Sequence, residues 1–311
     1  MIEFFLASTI AAASPGMIQA APQASETQSA SSESTSLADI PVHGVRRQEL
    51  IERFVTNVAA PIKRRQVARW KHNRPVCVSI TNLQTEGAYY IADRIGDVAR
   101  DLDLLVGAPG CRPNVHIIAT SQTREASQWV RQERYRQFVP REFGASQGRA
   151  AFERFVSNDE PIKWWHTVSV RSSYGEGTYG GNSSLDDLLD NYPASNTMAS
   201  RILESFEDNL QSVLIIFDPT RVSDLNADQL ADYLAFLVLA QVNPDADTES
   251  YESVLNVIDH PTEVAGLTDW DHTYLRGLYG AARSQKNAGA ARNEIVSAID
   301  RQQRILTTSE N

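Results

Sequence analysis

Only two cysteines, Cys77 and Cys111, occur in the 311 residues, and neither has a CxxC neighbour. Thiol-redox catalysis and a cysteine-based zinc site are therefore poor readings. Two cysteines suit one structural bridge in a periplasmic or secreted protein, with two buried free thiols as the alternative. Basic charge is also scarce: 29 Lys and Arg stand against 39 Asp and Glu, for a net charge of −10, and the largest basic cluster is Lys63-Arg64-Arg65. Such a chain repels phosphate backbones, so nucleic acid is not an expected partner. The GxSxG elbow of a serine hydrolase is missing. The glycine-rich stretch Tyr174 to Ser184 contains no Lys and has no apolar helix behind it, so it reads as a loop and not as a phosphate cradle.

At 42% hydrophobic and 22% charged, the chain can bury one sizeable core or two small ones. The apolar run Phe4 to Ala13, followed by small residues, suits a signal peptide over 1–23 and is too short to span a bilayer. Residues 24–44 are Ser/Thr-rich and read as a disordered tether. A single globular domain is expected over 45–308, opening on a helical period at Leu50, Ile51, Phe54, Val55 and Val58. No transmembrane segment is expected, and the location is periplasmic or secreted.

Short β-branched runs bounded by turn residues predict strands over Val76 to Thr81, Val115 to Thr120, His166 to Ser172 and Val213 to Asp218. Between the first two, Tyr90, Ile91, Ile95, Val98, Leu102 and Leu105 form one helical stripe, which implies a crossover joining parallel neighbours and brings Cys77 near Cys111. The segment Gln122 to Phe155 is helix-rich. Asn226 and Gln229 have capping-box spacing ahead of a helix that is apolar almost all round, hence buried. Thr268 and Asp271 repeat the pattern before Tyr274, Leu275, Leu278 and Tyr279.

Few residues suggest chemistry. Asp159 and Glu160 precede Pro161 in a turn and face different directions, which is poor geometry for glycosidase acids. Asp228 and Asp232 read as first-turn acids at the positive end of a helix, too few in number to hold calcium. His260 and His272 read as solvated. Of the adjacent Trp164 and Trp165, one should enter the core and the other reach the surface, where it would mark a binding face.

The succession of strand, backing helix, strand, further strands, buried helix and LTDWDHTYLRGLYG resembles the zincin metallopeptidases. Leu267, Thr268, Asp271, Leu275, Leu278, Tyr279 and Gly280 are similar to the closing helix of metzincins, and Trp70 to Ile80 to the way such domains begin. The resemblance covers roughly Trp70 to Gly280. In zincins the central helix carries HExxH, two His one turn apart that grip zinc and a Glu that takes a proton from its water. Here Gln229 and Tyr233 stand in place of the ligands and Leu230 in place of the base. The Asp-rich turn after the helix and the stretch Ser253 to Asn256 resemble a family of bacterial exported proteins that look like zincins without the zinc motif.

What the resemblance implies is an α+β domain, a zincin-like mixed sheet packed on a long backing helix and a central buried helix. It implies no catalytic residue, metal or cofactor, and a binding or structural role in the cell envelope toward a protein or peptide. The former substrate cleft would lie between the edge strand and the central helix, with Trp165, His166, Gln229, Asp232 and Tyr233 as cleft residues. The competing expectation is a hydrolase of unrecognised class using His166, Asp218 or Asp232 in that cleft.

Overall fold

A computed structural model of the protein describes residues 39–62, 65–141, 144–172, 206–283 and 287–309. The expected signal peptide, all of the tether before Asp39 and the glycine-rich stretch from Tyr174 lie outside the described residues.

Helix α1 (Asp39–Val58) leads into strand β1 (Val78–Thr81), helix α2 (Thr85–Asp101) and strand β2 (Val115–Ala119). Three short helices follow, α3 (Thr123–Glu133), α4 (Tyr135–Phe138) and α5 (Arg149–Ser157), before the long strands β3 (Ile162–Ser172) and β4 (Phe206–Phe217). The chain closes with α6 (Ala227–Leu239), α7 (Asp269–Gly280) and α8 (Ala288–Ser309). The fold is α+β around one four-stranded mixed sheet, ordered β1-β2-β4-β3. The pairs β1/β2 and β2/β4 are parallel, and β3 runs antiparallel to β4 at the edge.

Alternation along the strands splits the sheet's two faces between two cores. Val115, Ile117, Val213, Ile215 and Phe217 pack with α1, α2, α6, α7 and α8. On the opposite face Leu214, Ile216 and Trp165 pack with Val130, Phe138, Phe152 and Phe155 from α3 to α5. Helix α6 is buried from Ala231 through Leu239, as its apolar circumference demands. Both capping boxes form, Asn226 with Gln229 and Thr268 with Asp271. Cys77 and Cys111 are disulfide-bonded with Cα atoms 6.1 Å apart. Gly107 makes that approach possible, since a Cβ there would fall on the Cys111 sulfur.

Three residues assigned to helical stripes by periodicity are exposed instead. Leu50 is 39% exposed and flanks the buried stripe of α1. Tyr90, 43% exposed, hydrogen-bonds Asp228 through its hydroxyl. Leu105 is 52% exposed because Asp103 turns the chain through a left-handed conformation (φ 57°) beyond the end of α2. That turn puts Leu104 into the core in its place.

Candidate functional site

A cleft of about 1310 Å³ runs along β3, bordered by the residues just after α1 (Ala59 to Pro61), Tyr233 of α6 and the chain from Gln241 to Thr248. Its edge is defined by the pairing of β3 with β4. Asp218 N–H donates to Pro161 O at 2.9 Å, and the register pairs Ile162 with Phe217. Hydrogen-bonded pairs alternate in an antiparallel ladder, so Lys163 and Trp165 point their main-chain groups at β4 while Ile162, Trp164 and His166 point theirs away from it. The outward series is covered at Val168, whose N–H donates to Ala145 O at 2.8 Å. Among the described residues, nothing hydrogen-bonds the outward main chain of Trp164 or His166. These two residues line the cleft.

The side chains of this wall are already committed. His166 is buried, its Nε2 lies 2.8 Å from Leu237 O, and burial pulls its pKa down to about 4, so the imidazole is neutral at neutral pH with Nε2–H donating. Neither tryptophan is exposed, contrary to the expectation that one would reach the surface. Trp165 packs its ring against Phe152 and Phe155, at centroid distances of 5.0 and 5.9 Å, and donates to Phe138 O. Trp164 is half-buried on the cleft side, its indole N–H donating to Val242 O at 3.1 Å. The bulky β3 side chains are each claimed by a helix layer or loop, which periodicity alone does not show.

Of the five expected cleft residues, Trp165, His166 and Tyr233 border the cleft. Gln229 and Asp232 lie outside its lining and pin the segment before α7. Gln229 Nε2 donates to Pro261 O and Val264 O, both at 2.6 Å, while its Oε1 accepts from Asn226 N–H. Asp232 is not a first-turn acid of α6, where only Asp228 lies: it is buried, pairs with Arg94 at 2.5 Å and accepts Leu267 N–H at 2.8 Å. Gly266 admits its carboxylate, since a Cβ there would collide with Asp232 Oδ2. Asp228 turns instead to Tyr90.

These commitments do not fit a zinc ion on the central helix. The Gln229 amide is saturated by backbone, burial pushes the Tyr233 phenol well above its usual pKa, and Leu230 has no proton-accepting group. Among the described residues no three His, Cys, Asp or Glu side chains come together in metal-binding range. Nor do the residues of the hydrolase alternative act as a unit. Asp218 caps its own turn, accepting from Thr220 N–H and Oγ1–H at 2.9 and 2.7 Å, while His166 faces Leu237 and Asp232 faces Arg94.

Two basic residues of the cleft wall escaped sequence reasoning. Lys163 is 1% exposed, and its ammonium donates to Ser127 Oγ at 2.9 Å. A lysine beside a serine is a known way to activate a hydroxyl nucleophile, but Ser127 has no exposed surface and its hydroxyl contacts the carbonyls of Thr123, Arg124 and Val156. Arg292 of α8 lines the cleft without an ion pair among the described residues. The one sequence signal was a lysine inside the otherwise aromatic and aliphatic run IKWWH; Arg292 gave none.

No protein-family model, curated protein or solved structure matches the chain. The disulfide is compatible with an extracellular or periplasmic location. Among the described residues no helix is long and apolar enough to cross a membrane.

Proposed function

We propose that the chain is an exported, zincin-like protein without peptidase activity, which binds an extended peptide or protein segment along the open edge of β3. The observation that carries this reading is the main chain of Trp164 and His166, which no described residue hydrogen-bonds on its outward side, beside a cleft of about 1310 Å³. An unpaired strand edge is a template for another strand, with affinity supplied by main-chain hydrogen bonds and specificity by neighbouring pockets. Trp164, Tyr233, Leu255 and Ile258 give the cleft an apolar wall for a ligand side chain. The zincin-like part is supported by the order β1, α2, β2, edge strand, then a buried helix and a capped one, the order of the family resembled. Inactivity is supported by the commitments of Gln229, Tyr233 and His166.

A degenerate library of ten-residue peptides, titrated into isotopically labelled protein, tests the reading. The Trp164 and His166 amide resonances are expected to shift saturably, and the same library N-methylated at alternate residues to leave them unmoved. Binding that leaves these amides unchanged, or that survives N-methylation, refutes strand addition. Cleavage of the library would refute inactivity.

A further inference from the structure

We infer that the cleft contains a carboxylate-binding subsite centred on Arg292. Three observations bear on it. First, Arg292 lines the cleft, and no carboxylate of the described residues lies within ion-pairing distance of it. Its Nε is fully buried and has no hydrogen-bond partner. A guanidinium that lines a cleft without an ion pair is matched by a planar acceptor.

Second, Tyr274 is 1% exposed and its hydroxyl also lacks a partner. It lies behind the lining of the cleft and is not part of it. Third, α8 begins beside Arg292. Asn287 Oδ1 accepts the Ala290 N–H at 2.9 Å, and among the described residues the N–H groups of Ala288 and Gly289, both lining the cleft, have no partner. Free first-turn amides add donors and positive potential to the same wall.

The anion class follows from the surrounding charges. Arg221 is engaged by Asp159, and the Lys163 ammonium is turned to Ser127. Glu160, Asp245 and Asp259 line the cleft as exposed carboxylates. Arg154 also lines the cleft, as an exposed residue. Three exposed acids repel a dianion such as phosphate more than a single carboxylate, which one guanidinium matches. For a peptide ligand this subsite takes its C-terminal carboxylate. That assignment rests on the peptide reading above; the subsite itself does not.

The test follows the Arg292 Nε–Hε resonance in arginine-labelled protein, assigned by its absence in Arg292→Lys. N-acetylglycine, a mimic of a peptide C-terminus, is expected to shift it saturably, and N-acetylglycinamide to leave it unmoved. No shift, an equal shift with the amide, or tighter binding of inorganic phosphate overturns the carboxylate subsite. In a second arm the free-acid and C-terminally amidated forms of the degenerate library are compared. Amidation should weaken binding to the wild type by about tenfold and leave binding to Arg292→Gln unchanged. Saturable binding of N-acetylglycine with no library binding upholds the subsite while refuting the peptide reading. Library binding indifferent to amidation does the reverse.

Discussion

Replacing Lys163 by methionine removes a buried charge from the strand that forms the cleft's edge. The side chain is 1% exposed, and no carboxylate of the described residues lies within 4 Å of its ammonium; Ser127 Oγ at 2.9 Å and Asn158 O at 3.4 Å receive it. Desolvation, with Arg124 second, pulls its pKa from 10.5 down to about 8. Each pH unit of displacement is worth about 1.4 kcal/mol, so burying the charged form costs about 3 kcal/mol. The sign is definite. Below pH 8 lysine is charged in both states and the cost is complete; between pH 8 and 10.5 the unfolded chain holds the extra proton, so stability rises with pH and the cost disappears. Methionine fills a similar volume beside the Phe155 ring, and Ser127 keeps its carbonyl contacts at Thr123 and Val156. Allowing about 1 kcal/mol for the lost hydrogen bond, Lys163→Met should be about 2 kcal/mol more stable at neutral pH. That advantage should vanish near pH 10. Urea unfolding of both proteins across this range measures the difference, and subtracting one curve from the other cancels every other titrating group. A variant no more stable at pH 7, or a gap that does not change with pH, would refute a desolvated ammonium.

Three further outcomes are expected. His166 has its pKa lowered by burial from 6.5 to about 4; its contribution is complete above pH 6.5 and is lost as pH falls toward 4, about 3 kcal/mol in all, so His166→Asn should flatten that limb of the acid-unfolding profile. Removing the bridge with Cys77→Ala and Cys111→Ala opens a loop of sequence separation 34 and should cost about 4 kcal/mol by chain entropy; a loss below about 1 kcal/mol in denaturant unfolding would mean the unfolded chain is compact there already. Gly266→Ala puts a methyl group on Asp232 Oδ2 and displaces the carboxylate from Leu267 N–H and Arg94; the expected loss is about 1–3 kcal/mol, with faster hydrogen exchange at the Leu267 amide.

Elements whose cause is local were legible in the sequence. Asn226 with Gln229 and Thr268 with Asp271 announce α6 and α7 because a capping box is complete within four residues. The buried stripe of Ile91, Ile95 and Val98 announces α2 in the same way. The first half of β4 was not legible, because Asp208 and Asn209 are buried on account of distant partners. Arg65 pairs with Asp208 at 2.9 Å, and Arg283 donates to Asn209 Oδ1 at 2.9 Å. The site divides along the same line. His166 could be named from its strand, but its neutrality is set by burial and by Leu237, 71 residues away. Arg292 stands out only in three dimensions, where it lines the cleft with a buried Nε that has no partner.

That distribution of commitments bears on what kind of recognition this cleft can perform. Gln229, His166, Trp164 and Trp165 donate side-chain N–H groups to backbone carbonyls of their own chain, and Asp232 accepts from Arg94 and Leu267. Among the described residues, the outward main chain of Trp164 and His166 takes no hydrogen bond, and the Arg292 guanidinium makes no ion pair. Main-chain donors and acceptors are common to every peptide, so an edge strand reads extended conformation before it reads sequence. Discrimination then falls to the apolar wall and to one carboxylate. Exchanging ligand side chains other than the one against Trp164 and Tyr233 should therefore change affinity less than N-methylating a single amide opposite Trp164. The reverse ranking would mean that side chains, and not the strand edge, hold the ligand.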